Sequence, residues 1–298
     1  MADQGTLREE PKLRIGAHVS ASGGVDKAIE RAQAIGAETI QIFGASPQAW
    51  RRKEYGAVEI EAFKSKSQST DIGPAFLHGV YLINLATSNP ENLAKSIDAL
   101  IHDMKVCHVI GARGVIFHLG SHRGSGFQQV LSQIAESVHV VLENTPEDSW
   151  LILENSAGMG DAVGSRFSEL AAVMAAAGDG RVKVCLDTQH MFASGYDVRS
   201  KDGLEAALSE FDSEVGLERL VAVHANDSKC PLAGGVDRHE NIGEGYIGRE
   251  GFEVIMSHPA FADVPFLLEV PGFENQGPDK ANIDILKGIR ALTAGAKR

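Results

Sequence analysis

This chain predicts a single (β/α)8 barrel, and three observations lead to that fold class. Eight short apolar runs alternate with eight segments of helical periodicity along 298 residues, with no break in composition. Seven of the eight runs finish at or beside a His, Asp or Glu, which an apolar strand has no packing reason to do. Those polar endings are spread over nearly every run. A closed barrel gathers such endings at one mouth, whereas an open doubly wound sheet would string them along an edge.

In chain order, LRIGAHV places His18 at the end of the first run, and GVDKAIERAQAIG follows as the first helix, stopping at Gly36. ETIQIF, ending at Phe43, is the run without an ionisable ending, and AVEIEAFKSKSQSTD is its helix. PAFLHG delivers His78, and Asn89-Pro90 opens a long helix that closes at Gly111. RGVIFHLG delivers His118 ahead of FQQVLSQIAESVHVVLENT. WLILEN delivers Glu154 ahead of SRFSELAAVMAAAG, with Gly178 at its end. VKVCLD delivers Asp187 ahead of DGLEAALSEFDSEVG, with a stop at Gly216. LVAVHAN delivers His224, and REGFEVIMSHPAF follows. PFLLEV delivers Glu269, and DKANIDILKGIRALT closes the series. Apolar residues at three- and four-residue spacing mark these helices as lying one face on a sheet. The connections after the second and seventh runs are long, as binding loops are.

Composition limits the function classes. The chain is 43% hydrophobic and 23% charged, enough for a full core in a water-exposed globule. No stretch reaches the roughly 20 apolar residues of a membrane span. Residues 1–12, MADQGTLREEPK, read as a polar tail without the apolar region of a secretory signal, and 13–298 as the barrel domain. Three widely spaced cysteines with no CxxC pair favour a reducing cytoplasm, and a monomer is expected. A net charge of −12 argues against sequence-blind adhesion to nucleic acid. It leaves open a nuclease whose positive charge comes from metal ions and a local basic rim.

The strand ends supply His78, His118, Glu154, Asp187, His224 and Glu269. His190 lies just beyond Asp187, and Asp237 and His239 sit at i and i+2 in the loop GGVDRHENIGEG, sharing a side if that backbone is extended. One zinc or manganese ion takes roughly four to six ligands, so nine donors imply a cluster of two or three ions. Imidazole mixed with carboxylate and no thiolate suits zinc, with manganese at some positions, better than magnesium or an iron–sulfur centre. Such a cluster can activate water and clamp both ends of an in-line displacement at phosphorus.

The stretches IGAHVSASGG, LHGVYLINLA, FHLGSH, LENSAGMG, LDTQHMFASGYD, HANDSK, VDRHENIGEGYIG and LLEVPG together resemble the endonuclease IV family of apurinic/apyrimidinic endonucleases, from about Ile15 to Gly272. The resemblance implies a xylose isomerase-like TIM barrel with three zinc ions at its C-terminal face. It implies a DNA-repair enzyme that cuts duplex DNA 5′ to an abasic site, leaving a 3′-hydroxyl and a 5′-deoxyribose phosphate. Carried over by position, it assigns His78, His118 and Glu154 to one ion. Glu154 (bridging), Asp187, His224 and Glu269 go to a second, and His190, Asp237 and His239 to a third. A hydroxide shared by the first two ions would be the nucleophile, with Glu154 and Glu269 as the catalytic carboxylates that orient it.

Departures from the family pattern are Leu119 after His118, where proline is usual, and Gln189, where cysteine is frequent; neither removes a ligand. The family often has a duplex-prying arginine near Gln48, whereas basic residues here begin at Arg51. Tyr81 matches a family aromatic at the DNA interface. Gln48, Arg51, Tyr81 and Arg238 are therefore the expected DNA contacts, with Arg52, Lys53, Arg123, Lys229 and Arg249 as further basic residues in loops of the same face. Three divalent ions would halve the formal charge of −12 and leave a positive centre in an acidic shell. The rival reading is a xylose isomerase-like sugar isomerase or epimerase using one or two metals, which has no need of His190 together with Asp237 and His239. A non-catalytic metal-dependent DNA-binding protein is the other class, and the intact donor set argues against it.

Overall fold

Parallel strands covered on both faces must be apolar on both sides, and the short apolar runs supply that. In the computed structural model, which describes residues 13–295, they become β1 (Ile15–His18), β2 (Ile40–Phe43), β3 (Ala75–His78), β4 (Gly114–Phe117), β5 (Trp150–Glu154), β6 (Val182–Asp187) and β7 (Leu220–His224). A two-residue pair, β8 (Asp227–Ser228) and β9 (His239–Glu240), precedes the eighth barrel strand, β10 (Phe266–Leu268). The barrel closes in the order β1-β10-β7-β6-β5-β4-β3-β2. The expected tail, residues 1–12, lies outside the described residues, as do residues 296–298.

Strand periodicity sets the site. Phe76, Ile116, Ile152, Cys185, Ala222 and Leu267 pack together as a layer inside the barrel. Two residues further along each strand, on the same inward face, stand His78, His118, Glu154, Asp187, His224 and Glu269. The alternate residues, such as Leu77, Leu153, Leu186 and Leu268, face the helices and join the large outer core. Apolar filling below and donors above is therefore one alternation read at two heights. On β1 the same inward face carries Gly16, where a side chain would collide with the Thr39 carbonyl of the neighbouring chain segment.

The helices follow the predicted segments: α1 (Asp26–Ile35), α2 (Ala57–Thr70), α3 (Pro90–Ile110), α4 (Phe127–Glu143) and α5 (Phe167–Ala177). Asn89 caps α3 by accepting from the Glu91 and Asn92 amides at 2.9 and 3.1 Å, with Pro90 in the first turn. Gly36, Gly111 and Gly178 end their helices in the left-handed conformation as expected. One helix, α6 (Thr188–Ser194), was not expected. After it come α7 (Lys201–Glu214), α8 (Gly248–Ser257) and α9 (Lys280–Gly295). The expected stop at Gly216 needs correction. The terminal position of α7 is Val215 at φ −112°, and Gly216, at φ 95°, turns the chain one residue later.

At the N-terminal end of the barrel, Glu38 ties the last helix to the first strands. Its carboxylate accepts from Arg290 at 2.6 and 2.9 Å and from the Ile15 amide at 3.0 Å, with Lys287 3.5 Å away. Burial alone would raise this carboxyl, but those partners more than reverse it and hold it down at about 2. Nearby, Arg14 forms a two-pronged pair with Asp71 at 3.0 and 3.1 Å.

Candidate metal centre

All nine donors predicted from the sequence meet at the C-terminal mouth. Three overlapping sets have their ligand atoms within 4.8 Å of one another: His78, His118 and Glu154; Glu154, Asp187, His224 and Glu269; and Asp187, His190 and His239. Asp237 completes the last set from the solvent side, with Oδ1 3.3 Å from both His190 Nε2 and His239 Nε2. Glu154, fully buried, belongs to two sets, and so does Asp187.

Local rules explain how the outlying donors arrive. Asp187 ends β6 and also caps α6, its Oδ1 accepting from the His190 amide at 2.8 Å. The first turn of α6 therefore presents His190 beside its own capping residue, while Asp187 Oδ2 stays with the cluster, 3.7 Å from His239 Nε2. The extended backbone expected around His239 is strand β9, where His239 pairs with Ser228 of β8. Asp227 anchors this excursion: its buried carboxylate accepts from the amides of Ser228, Gly243, Gly245 and Ile247 at 2.7–3.1 Å. Gln189 donates to the Val236 carbonyl at 2.9 Å and so ties α6 to the same loop. Leu119 is a fully buried core residue.

The imidazoles are oriented from behind. His78 Nδ1 meets the Gly79 carbonyl at 2.7 Å, His190 Nδ1 the Asn155 carbonyl at 2.9 Å, and His239 Nδ1 the Glu269 carbonyl at 3.3 Å. Each leaves Nε2 turned inward, and the buried Nε2 atoms of His190 and His239 have no hydrogen-bond partner. His224 is reversed, with Nε2 on Gln41 Oε1 at 2.8 Å and Nδ1 inward. A ring fixed by its outer nitrogen with the inner one free is the usual arrangement of a metal-binding imidazole.

The separations fit the ion as well. Donors bound tetrahedrally to zinc at about 2.0–2.1 Å lie about 3.3–3.4 Å apart. Glu154 Oε2 lies 3.2 Å from His78 Nε2 and 3.4 Å from His118 Nε2, and Glu269 Oε2 lies 3.3 Å from His224 Nδ1. Charge makes the same demand. Glu154, Asp187, Asp237 and Glu269 have no lysine or arginine ion-pair partner among the described residues. Burial would raise the Glu154 carboxyl, yet His118 and His224, with hydrogen bonds from His190 and His224, hold it well below the usual range. Burial likewise opposes charge on His190, but Asp187, Asp237 and Glu154 raise it well above an ordinary imidazole. Without ions, protons on imidazoles provide the positive charge; metal binding must displace them.

Sequence reasoning missed the residues that hold the donors. Gln41, buried on β2, bonds to His224, Glu269 and His18, so the strand without an ionisable ending still serves the cluster. Asn226 donates to Asp187 Oδ2 at 2.7 Å and accepts the Glu269 amide at 2.8 Å. Asn155 accepts the Asp187 amide at 2.6 Å. The available signal was an amide side chain inside or just past an apolar run. His18 lies 3.3 Å (Nδ1) from Glu269 Oε1 and packs on Phe43 with ring centroids 4.3 Å apart.

Two cavities flank the cluster, one of about 1000 Å³ beside His18 and Glu269 and one of about 610 Å³ beside His118, His190 and Asp237. Tyr81 lines both and is 62% exposed, its ring edge-on to Phe43 and its amide bonded to the Pro47 carbonyl at 3.1 Å. Gln48, Arg51 and Arg238 are exposed in loops of this face. The basic rim is narrower than the sequence suggested. Arg52, Lys53, Lys229 and Arg249 are paired with Asp98, Glu59, Glu240 and Glu253 at 2.9–3.7 Å, which partly cancels their charge. Arg51, Arg123 and Arg238 make no side-chain ion pair among the described residues.

A closed barrel with these donors at its mouth defines a xylose isomerase-like TIM barrel, and the family of that description matches residues 29–292. Probable endonuclease 4 of Halothermothrix orenii is 40% identical over 276 residues, covering 92% of this chain and 99% of the relative. Probable endonuclease 4 of Aquifex aeolicus is 39% identical over 275 residues, 92% of this chain and 96% of the relative. The crystal structure of endonuclease IV from Thermus thermophilus superposes with a TM-score of 0.83 at 35% identity, over 94% of this chain and 99% of that one. The chain belongs to the endonuclease IV family. A D-tagatose 3-epimerase-like protein, with a TM-score of 0.69 at 14% identity, shares the fold alone.

Proposed function

We infer that this protein is a metal-dependent DNA-repair endonuclease that hydrolyses the phosphodiester 5′ to an abasic site in duplex DNA, leaving a 3′-hydroxyl and a 5′-deoxyribose phosphate. The observation that carries this reading is the convergence of four carboxylates and five imidazoles in three overlapping donor sets, without a lysine or arginine to balance them. A sugar isomerase needs one or two ions and has no use for a third set. Zinc is the metal that the donor spacing and the absence of thiolates favour, three ions in all, with manganese acceptable at some positions. The working unit in this reading is a cytoplasmic monomer with free thiols at Cys107, Cys185 and Cys230.

When bound, the ions supply Lewis-acid charge at the phosphate and make water acidic enough to attack at neutral pH. The chain's own part is geometric. His78, His118 and Glu154 would hold the first ion; Glu154, Asp187, His224 and Glu269 the second; and His190, Asp237 and His239, with Asp187 alongside, the third. Glu154 and Glu269 flank the point where the first two sets meet, and would orient the attacking water in line with the phosphorus. Tyr81 divides the mouth into two cavities and would face the gap left by a missing base, with Gln48 beside it. Arg51 and Arg238 would meet backbone phosphates on the rim. An abasic nucleotide has no base to unpair, so its extrusion costs less than that of an intact one, and selectivity follows without sequence reading.

Elemental analysis combined with a nicking assay on a duplex carrying one tetrahydrofuran abasic mimic tests the reading. Three zinc ions per chain and a nick 5′ to the mimic are expected; one ion per chain and no nick would refute it. Glu269→Gln should abolish cleavage with the fold intact. Full activity in that variant would remove β10 from the reacting centre.

A further inference from the structure

We propose that Gln41 is a positioning residue of the metal cluster, its side-chain amide fixing which atom of Glu269 and which nitrogen of His224 face the ions. The inference rests on the metal-dependent reading above and adds a residue with no ionisable group. Gln41 lies in the middle of β2 on its inward face, fully buried. Its Nε2 reaches Glu269 Oε1 at 2.5 Å, and its Oε1 reaches His224 Nε2 at 2.8 Å.

The chemistry permits one orientation of that amide. An ionised carboxylate only accepts, so the NH2 end must point to Glu269 and the carbonyl end to His224. The carbonyl in turn requires a proton on His224 Nε2. That contact fixes the ring so that Nδ1 faces the cluster, 2.9 Å from Glu154 Oε1 and 3.3 Å from Glu269 Oε2. Glu269 is constrained in the same way. Its Oε1 is occupied by Gln41, with His18 Nδ1 3.3 Å away, so Oε2 is the oxygen presented to the cluster. Gln41 Nε2 also lies 2.9 Å from His18 Nδ1, a third contact that restrains the amide. One neutral side chain thus sets the binding atom of two ligands on different strands, β7 and β10. It adds no charge to a cluster already rich in carboxylates.

The test compares full-length wild type with Gln41→Glu and Gln41→Met, two variants of nearly the same volume. Glutamate keeps an acceptor for His224 but cannot donate to Glu269; methionine does neither. Zinc content is measured after dialysis against graded chelator, melting temperature is measured with all metal removed, and visible absorption is measured on the cobalt(II)-substituted forms. Both variants should release one of the ions at about 10- to 100-fold lower chelator strength than wild type. The remaining ions should be retained, and the cobalt bands of one site should shift. A loss of packing alone would lower the metal-free melting temperature without shifting the cobalt bands of a single site. Wild-type retention and spectra in both variants would overturn this inference alone. So would a wild-type pattern in Gln41→Glu, because donation to Glu269 would then not matter. A wild-type chain that binds no zinc would overturn the metal-dependent reading and this inference with it.

Discussion

The two ends of the barrel use the same kinds of side chain in opposite ways. At the N-terminal end, Glu38 faces Arg290 and Lys287 and Asp71 faces Arg14, so each acid has a cation from the chain itself. At the C-terminal mouth, four acids converge on imidazoles with no fixed cation. The first arrangement is complete within the chain; the second, in the function proposed above, is completed by ions from outside. Charge that the chain pairs with its own arginines and lysines reads as stability, and buried carboxylates left without such a partner read as function.

The comparison breaks most visibly at Glu154, which belongs to two donor sets. Glu154→Gln should lower nicking by about 100-fold or more, since a lost ligand exceeds the 10- to 100-fold typical of a lost orienting partner. Zinc in large excess over its dissociation constant should raise the melting temperature of the chelated wild type by about 10 °C. In Glu154→Gln most of that difference should vanish. An undiminished metal-induced rise would mean that Glu154 is not a shared ligand.

Glu38→Gln should do the reverse, costing up to about 3 kcal/mol of stability at neutral pH while leaving the turnover of folded molecules unchanged. The folded carboxyl, at about 2, lies below its ordinary value of 4.5. Its contribution is therefore fully present above pH 4.5 and is lost as pH falls toward 2. Denaturant titrations of the two proteins should accordingly differ at pH 7 and converge in acid. A pH-independent gap would assign the effect to packing instead.

The smallest effects belong to the rim. Arg51→Ala and Arg238→Ala should each weaken duplex binding a few-fold, alike for all sequences, and reduce the slope of log affinity against log salt by about one. Arg249→Ala, already paired with Glu253, should change the slope less. Equal slopes for all three would erase the distinction drawn between paired and unpaired rim cations.

How far the molecule could be read in advance follows the range of each interaction. His78, Glu154 and Asp187 were legible because a strand places alternate residues on one face, and a barrel points one end of every strand at the same space. Helix α6 was hidden because it is seven residues long and its first turn is capped by a residue already counted as a strand end. The β8–β9 pair was hidden because two-residue strands carry no periodicity, and Asp227 organises that loop through backbone amides far ahead in the chain. Gln41 carries no signal within β2, because the partners that give it a role stand on β1, on β7 and at the end of β10.

The sequence by itself determined the alternation of strands and helices, the family and the pool of nine donors, since each is written in local spacing or short motifs. Tertiary structure alone decided how those donors divide: that Asp187 stands between two sets, that Asp237 closes the third from the solvent side, and that Gln41 turns His224 and Glu269. Contacts between strands far apart in the chain depend on barrel closure and register, and no window of neighbouring residues encodes either.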